Sequence, residues 1–432
     1  MSSATLRRIF APFAERDFRY LFVALACLTF GSRALAVVLG YTIYEATGSK
    51  LAIGYLGLVE AIPSLSLALY GGHVADRRDR RSILRVTLGT LMVSAATLAL
   101  LTGWNSGHIA LGAVYAVVFV AGTARGFGEP AAAALESQVV PKHLLVQSAT
   151  LMAGCWMTSG IVGPLIGGFA FGWVGPTWTL AGIAVCYLAA WIAVTQVQPR
   201  PPIVPAVQEP VFESVVAGAR YVWNDQVLLG SMALDLFAVL FGGAIALLPV
   251  FAKDILHVGP RELGLLAAAP TTGALLTMVW SARSPPVKHA GRNFLLSVAG
   301  FGVAMIVFAL SKSFYLSIAM LFLSGVFDGV SVVIRRSIMR LMSPDHLRGR
   351  IASVSMIFIG SSNELGALES GIAAAWLGTE RSVWMGGIVT LLVVAGAYVL
   401  APKLRNLSLD PSQAAKMSLP EMTEEELPPK SH

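Results

Sequence analysis

The chain has 432 residues, 56% of them hydrophobic and only 13% charged, where ordinary globular domains run near ~25% charged. Its formal net charge of +7 does not signal nucleic-acid binding, because the basic residues sit between long apolar runs. Cys27, Cys155 and Cys186 are scattered inside those runs without C-x-x-C spacing, so neither a disulfide framework nor a metal site is expected.

The N-terminus carries Arg7, Arg8, Arg16 and Arg19 ahead of an apolar run that reaches about residue 44. That run is too long for a cleavable signal sequence and predicts a first span at 18–45, its basic end in the cytoplasm. Arg33 falls near its middle. A brief loop at 46–50 leads to a second span at 51–70 that contains Glu60 and Pro63. Then comes Gly71-Gly72-His73-Val74-Ala75-Asp76-Arg77-Arg78-Asp79-Arg80-Arg81, a very short basic hairpin before the third span at 83–104. Each flanking run is near the ~20 residues that cross a bilayer as a helix, and the arginines fix the hairpin in the cytoplasm. Gly71 and Gly72 are expected to let the second helix approach a neighbour closely, and Asp76 to pair with an arginine or a helix N-terminus.

An outer turn at 105–108 precedes the fourth span, which runs to about 135 and holds Arg125 and Glu129 one helical turn apart, on one face. They read as a buried ion pair or as groups for substrate or proton. Span five follows Pro141-Lys142-His143 and ends near 173; span six covers about 178–197. Pro199, Pro201, Pro202, Pro205 and Pro210 then interrupt any continuous helix, and 213–225 reads as an amphipathic surface segment. Six more spans are predicted at about 227–252, 261–283, 292–311, 315–340, 350–377 and 382–401, before a polar tail rich in glutamate, with Glu421, Glu424, Glu425 and Glu426. The expected organisation is a six-helix bundle at 1–198, a cytoplasmic linker at 199–226, a second bundle at 227–401 and a disordered tail at 402–432.

On this layout roughly 24 Lys and Arg face the cytoplasm and about five face outward, which places both termini in the cytoplasm. The halves also echo one another. Gly126/Gly329, Pro141/Pro344, Gly163/Gly366 and Gly168/Gly371 share one offset, and Gly57/Gly264 and Pro63/Pro270 share another. With the central linker these predict an all-α membrane protein of twelve transmembrane helices in two parallel six-helix pseudo-repeats. Arg283 occupies the place of Asp76, so the second hairpin at 283–292 keeps basic charge without the pattern.

The hairpin resembles the loop between helices two and three of the major facilitator superfamily, G-x-L-A-D-R-x-G-R-[RK]. Gly72, Ala75, Asp76, Arg77, Arg80 and Arg81 match; Val74 replaces the leucine and Asp79 the second glycine. The resemblance implies the major facilitator fold and a cytoplasmic gate whose Asp76 helps lock an outward-open state. In span five, Gly160-Ile161-Val162-Gly163-Pro164-Leu165-Ile166-Gly167-Gly168 resembles the superfamily's drug:proton antiporter motif G-x-x-x-G-P-x-x-G-G, one residue short in its first spacing. Its glycines give a close-packing face, and Pro164 weakens the helix so that the two halves can rock. Arg125 with Gly126 and Gly128 is similar to the fourth-span motif, which implies a proton-relay role for Arg125. The basic run from Arg335 to Arg350, followed by Asn363-Glu364-Leu365-Gly366, is similar to the enterobactin-exporter branch, which also holds macrolide-efflux members.

Charges inside spans are costly, so Arg33, Glu60, Arg125, Glu129, Asp235, Asp328, Glu364 and Glu369 are the candidates for substrate or proton handling. Trp156, Tyr187, Phe237 and Phe241 are candidates for an apolar cavity wall. No phosphate-cradling Gly-x-x-x-x-Gly-Lys-[Ser/Thr] exists, and no nucleophile–base arrangement stands out. The expectation is a monomeric transporter of the bacterial inner membrane, not an enzyme, without cofactor or ATPase subunit. It would export a siderophore or amphipathic drug in exchange for protons. The alternatives are a nutrient importer or uniporter of the same fold, or a transport-dead sensor or scaffold.

Overall fold

The computed structural model describes residues 9–104, 110–200, 211–242, 244–284, 286, 288–344 and 347–409, and every regular element among them is helical. The first half comprises α1 (Arg16–Thr47), α2 (Lys50–Arg77), α3 (Arg80–Trp104), α4 (Leu111–Val139) and α5 (Leu145–Gln196). The α1–α2 turn is two residues, Gly48 and Ser49. Gly48 closes α1 at φ 61°, and Ser49 accepts the Ala52 amide at 3.3 Å as the cap of α2. At 52 residues, α5 would be roughly 78 Å long, far beyond a ~30 Å hydrocarbon core. It turns back at Gly175 (φ 78°), immediately before Pro176, and so crosses twice.

A surface helix, α6 (Val211–Asn224), leads into the second half: α7 (Gln226–Gly242), α8 (Pro260–Ser281), α9 (Ala290–Leu310), α10 (Phe314–Met342), α11 (Arg348–Leu377) and α12 (Thr379–Leu400). The expected seventh span at 227–252 is not one regular helix. After Gly242 it proceeds through a 3-10 segment (Ala244–Leu247), one α turn and a π segment (Phe251–Ile255), because Pro249 removes a donor and forces the backbone to re-pair. Counting α5 twice gives twelve crossings. The turn at 105–108 and the prolines at 201–210 lie outside the described residues, as do the tail glutamates. The tail from 402, expected to be disordered, is structured over its described residues: Pro402–Arg405 forms a short helix, and Leu404, Leu407 and Leu409 are buried in the second half. Apolar side chains at that spacing have a core to enter, which outweighs the polarity of the tail as a whole.

The pseudo-repeat appears as one contact made twice. Gly122 of α4 lies against Glu60 and Pro63 of α2, and Gly325 of α10 lies against Pro270 of α8. One turn further, a Cβ on Gly126 would lie 3.0 Å from Leu67 Cβ, and one on Gly329 3.0 Å from Ala274 Cα. Glycine on the fourth helix of each half thus admits the proline-bearing second helix to backbone distance.

The apolar core shows how the halves sit. At the end away from the gate loop one buried cluster runs through both halves, from Val38, Leu98 and Ile183 to Phe251, Leu263 and Phe308. Toward the gate-loop end it divides. Phe18, Leu84, Leu135 and Val194 form the core of the first half, and Leu228, Phe294, Ile338 and Leu404 that of the second. The joined end is sealed by small residues: a Cβ on Gly371 would lie 2.9 Å from Gly54 Cα, and one on Gly168 2.8 Å from Gly264 Cα. Polar contacts add to the seal. Tyr44 donates to Asp254, Lys50 Nζ donates to Ala374 O at 3.5 Å, and Arg261 donates to Gly172 O at 3.3 Å while covering Trp173.

Enlarging Gly168 should therefore pry this end apart. With the native cysteines replaced by serine, Tyr44→Cys/Asp254→Cys should cross-link readily under mild oxidant. Adding Gly168→Val should slow that cross-link at least tenfold, and an unchanged rate would mean that the α5–α8 contact does not hold the end closed.

Candidate functional site at mid-depth

The first half contributes a polar network at the level where α1, α2, α4 and the returning arm of α5 converge. Arg125 of α4 forms an ion pair with Glu60 of α2, and its other terminal nitrogen donates to Ser32 Oγ at 3.2 Å. Ser32 Oγ is in turn 3.2 Å from the hydroxyl of Tyr187, which is fully buried. Gly31 is small for the same reason: a Cβ there would lie 2.7 Å from the Tyr187 ring. The network closes the floor of a cavity of about 260 Å³ lying between the halves. From the second half the wall is apolar, including Ile245, Leu248, Pro249, Ala267 and Ala367. The irregular stretch after α7 thus faces the cavity, as expected for non-helical backbone at membrane depth. An apolar chamber with a few converging polar groups is the usual form of a small-molecule site.

Arg33, one residue beyond Ser32, is exposed, and its guanidinium lies 5.2 Å from the ring centroid of the exposed Trp156. It also lies within electrostatic range of Arg125 and of Glu129, itself exposed. The i,i+4 pairing of Arg125 with Glu129 is therefore replaced by Arg125–Glu60 across helices. The approach of α2 to Gly122 and Gly126 brings Glu60 to the guanidinium and leaves Glu129 open.

The second half carries its own charge cluster. Asp235 of α7 pairs with Arg335 of α10, with side chains only 9% and 8% exposed. Arg335, grouped from sequence with the basic run that ends α10, is instead inside the helix and buried. Asp328 lies near Arg336 and shares with Asp235, Ser297 and Ser331 a void of about 20 Å³, room for a single water. Asp328 stands at the repeat position of Arg125, so the halves place opposite charge at equivalent points. Glu369 is half-buried near the Gly54–Gly371 contact, outside the cavity. Glu364 lies on α11, its side chain outside the described residues. Phe237 and Phe241 stack on each other, 6.2 Å apart, and neither lines the cavity.

Arg80 and Arg81 of the basic hairpin are held by groups of the first half. Arg80 is buried and donates to Asp76, to Ala75 O at 3.1 Å and to Ala134 O at 3.4 Å; Arg81 donates to Val194 O and Thr195 O. The Ala75 carbonyl lies in the last turn of α2 and those of Val194 and Thr195 in the last turn of α5, where a cation meets the negative end of the helix dipole. Arg77 is exposed. Asp79, in the place of the motif's second glycine, caps α3 by accepting the Arg81 and Ser82 amides. The close approach expected of both glycines belongs to Gly71, which meets the Gly126 backbone; a Cβ on Gly72 would touch nothing within 4 Å. In span five, Gly163 and Gly167 face α1 at Phe30, Arg33 and Ala34. Gly160 and Gly168 face α8 at Thr271 and Gly264, and the Pro164 carbonyl lies against Gly264.

A family described as transmembrane secretion effector matches residues 7–430 of the chain. The chain belongs to this family of the major facilitator superfamily. The multidrug efflux pump Tap of Mycolicibacterium fortuitum is 26% identical over 405 residues, covering 90% of this chain and 97% of that protein. The enterobactin exporter EntS of Shigella flexneri is 23% identical over 347 residues, covering 80% and 82%. Among solved structures, a POT family transporter in complex with 5-aminolevulinic acid superposes with a TM-score of 0.74 at 11% identity, covering 90% of this chain and 97% of that one. The secretion-effector chain is thus a multi-span secondary transporter and not an enzyme.

The buried pair of the second half gives a stability test. Asp235→Ala strands Arg335 in a buried site and should destabilise the protein by about 3–5 kcal/mol, whereas Asp235→Ala/Arg335→Met should recover most of the loss. Thermal unfolding in detergent reads both; equal melting of the two variants would show that the charges do not depend on one another.

Proposed function

We propose that this transporter exports a small amphipathic organic molecule, of the siderophore or hydrophobic drug class, across a bacterial inner membrane in exchange for protons by alternating access. The observation that carries the reading is the Ser32–Glu60–Arg125–Tyr187 network, which opens onto an otherwise apolar cavity between two halves joined at one end only. The basic hairpins lie at the parted end, which supports a cytoplasmic position for that end and an inward-facing state that receives substrate from the cell interior. The apolar wall takes up the hydrocarbon of the substrate, while Arg33, Arg125, Glu60 and Glu129 offer charge of either sign.

Exchange needs a group that holds a proton in one state and loses it in the other. Glu60 is suited to this because its partner Arg125 is shared with Ser32: a cationic or hydroxyl group of the substrate that engages the Glu60 carboxylate displaces its proton, and reprotonation of Glu60 releases that group. Asp235 and Asp328 form a second carboxylate site, with room for a water through which a proton can pass. The efflux functions named for Tap and EntS support the outward direction. The protein acts as a monomer, with both termini in the cytoplasm.

The test is proton-gradient-driven transport into inverted vesicles, first of a fluorescent cationic dye and then of a catecholate siderophore. Either substrate should accumulate, and an uncoupler should abolish the accumulation. Transport that survives complete collapse of the gradient would contradict antiport. Movement of neither substrate, together with uptake of a nutrient by energised cells, would favour an importer.

A further inference from the structure

The second hairpin has no place in this mechanism, yet it keeps its basic charge. Lys288, His289 and Arg292, at the start of α9, meet Arg405, from the short helix after α12, around a pocket of about 620 Å³ at the gate-loop end of the second half. The chain builds this pocket deliberately: Gly291 N donates to Leu407 O at 3.0 Å, and any Cβ on Gly291 would collide with the Leu404 carbonyl, so the tail docks directly on the start of α9. His289 adopts the left-handed conformation (φ 55°), which turns the chain into α9 beside Lys288. No acidic side chain lines the pocket among the described residues, and none of its four basic residues is in an ion pair. Arg405 lies over the Tyr398 ring at 4.7 Å.

What adjoins the pocket identifies the occupant. Val399 and Leu400 at the end of α12 are exposed, and on α9 so are Leu296, Val303 and Leu310, a stripe at seven-residue spacing that runs from the pocket toward the opposite membrane face. A cationic recess at the end of an exposed apolar helix face fits an acidic headgroup with its acyl chains lying along the helix. We propose that this pocket binds an anionic phospholipid of the inner leaflet: the phosphate lies among Lys288, Arg292 and Arg405, and the chains lie on the Leu296–Val303–Leu310 stripe. This site is separate from the cavity between the halves and does not depend on what that cavity transports.

The experiment titrates the detergent-purified full chain with phosphatidylglycerol and reads binding by native mass spectrometry. Lys288→Gln/Arg292→Gln/Arg405→Gln should bind roughly a hundredfold more weakly, as expected for three near-surface cations removed. Arg292→Lys/Arg405→Lys should bind as the natural protein does. A charge-matched control elsewhere on the same face, Lys142→Gln/Arg220→Gln/Arg340→Gln, should also keep full affinity, and phosphatidylcholine should bind no variant tightly. Unchanged binding by the pocket variant, or an equal loss in the control, would overturn the site. Inorganic phosphate alone binding as tightly as phosphatidylglycerol would overturn the lipid as its occupant.

Discussion

A charge that cannot leave the bilayer must find a partner inside the bundle, and the middle of this protein is arranged around that constraint. Attraction between unit charges rises several-fold as the surroundings lose water, and so does the cost of leaving either one alone. The Arg125 guanidinium is therefore held from three helices at once by Glu60, Ser32 and, through Ser32, Tyr187. The glycines of α4 serve this arrangement, since α2 brings Glu60 within reach only because Gly122 and Gly126 let it in. Asp235–Arg335 meets the same constraint more deeply buried, where it has less freedom to exchange partners. That contrast sets the two clusters apart: the partly exposed Arg125–Glu60 pair faces the cavity, whereas the buried pair ties α7 to α10.

The same economy of small residues shapes the interface. The two halves touch backbone to backbone at Gly54–Gly371 and Gly168–Gly264, and such contacts form without interlocking large side chains. Surfaces of this kind part and re-form at lower cost than a core of interdigitated leucines. One apolar cluster bridges the joined end, and two separate clusters, one in each half, stabilise the parted end. The hairpin arginines Arg80 and Arg81 satisfy carbonyls of their own half.

Much of this was legible in the sequence, because the governing features are local. Apolar length and arginine placement pointed to the spans and the hairpin, and the glycine and proline offsets pointed to two repeated halves, though not to the α2–α4 and α8–α10 contacts those residues make. What the sequence did not disclose depends on contact between distant segments. Arg125 and Glu129 share a face, but which carboxylate meets the guanidinium depends on where α2 lies, and α2 supplies Glu60. Gly71 and Gly72 are indistinguishable in the sequence, and only the direction of α4 decides that Gly71 makes the approach. The Asp235–Arg335 pair was hidden because Arg335 sits among surface arginines. Asp79 was partly readable, since an acidic residue three positions before Ser82 at a helix start is a capping signal. The docking of Leu404, Leu407 and Leu409 was masked by the polar composition of the tail that follows.

The most direct test of the central claim compares transport and stability of Glu60→Gln, Arg125→Gln and the double variant in reconstituted vesicles. The account predicts that Arg125→Gln destabilises the protein and that the double variant, with no unpaired charge left, melts close to the natural protein. All three should lose proton-driven transport. A double variant that transports at the natural rate would mean that the network only holds the helices together, and that substrate and proton are handled elsewhere.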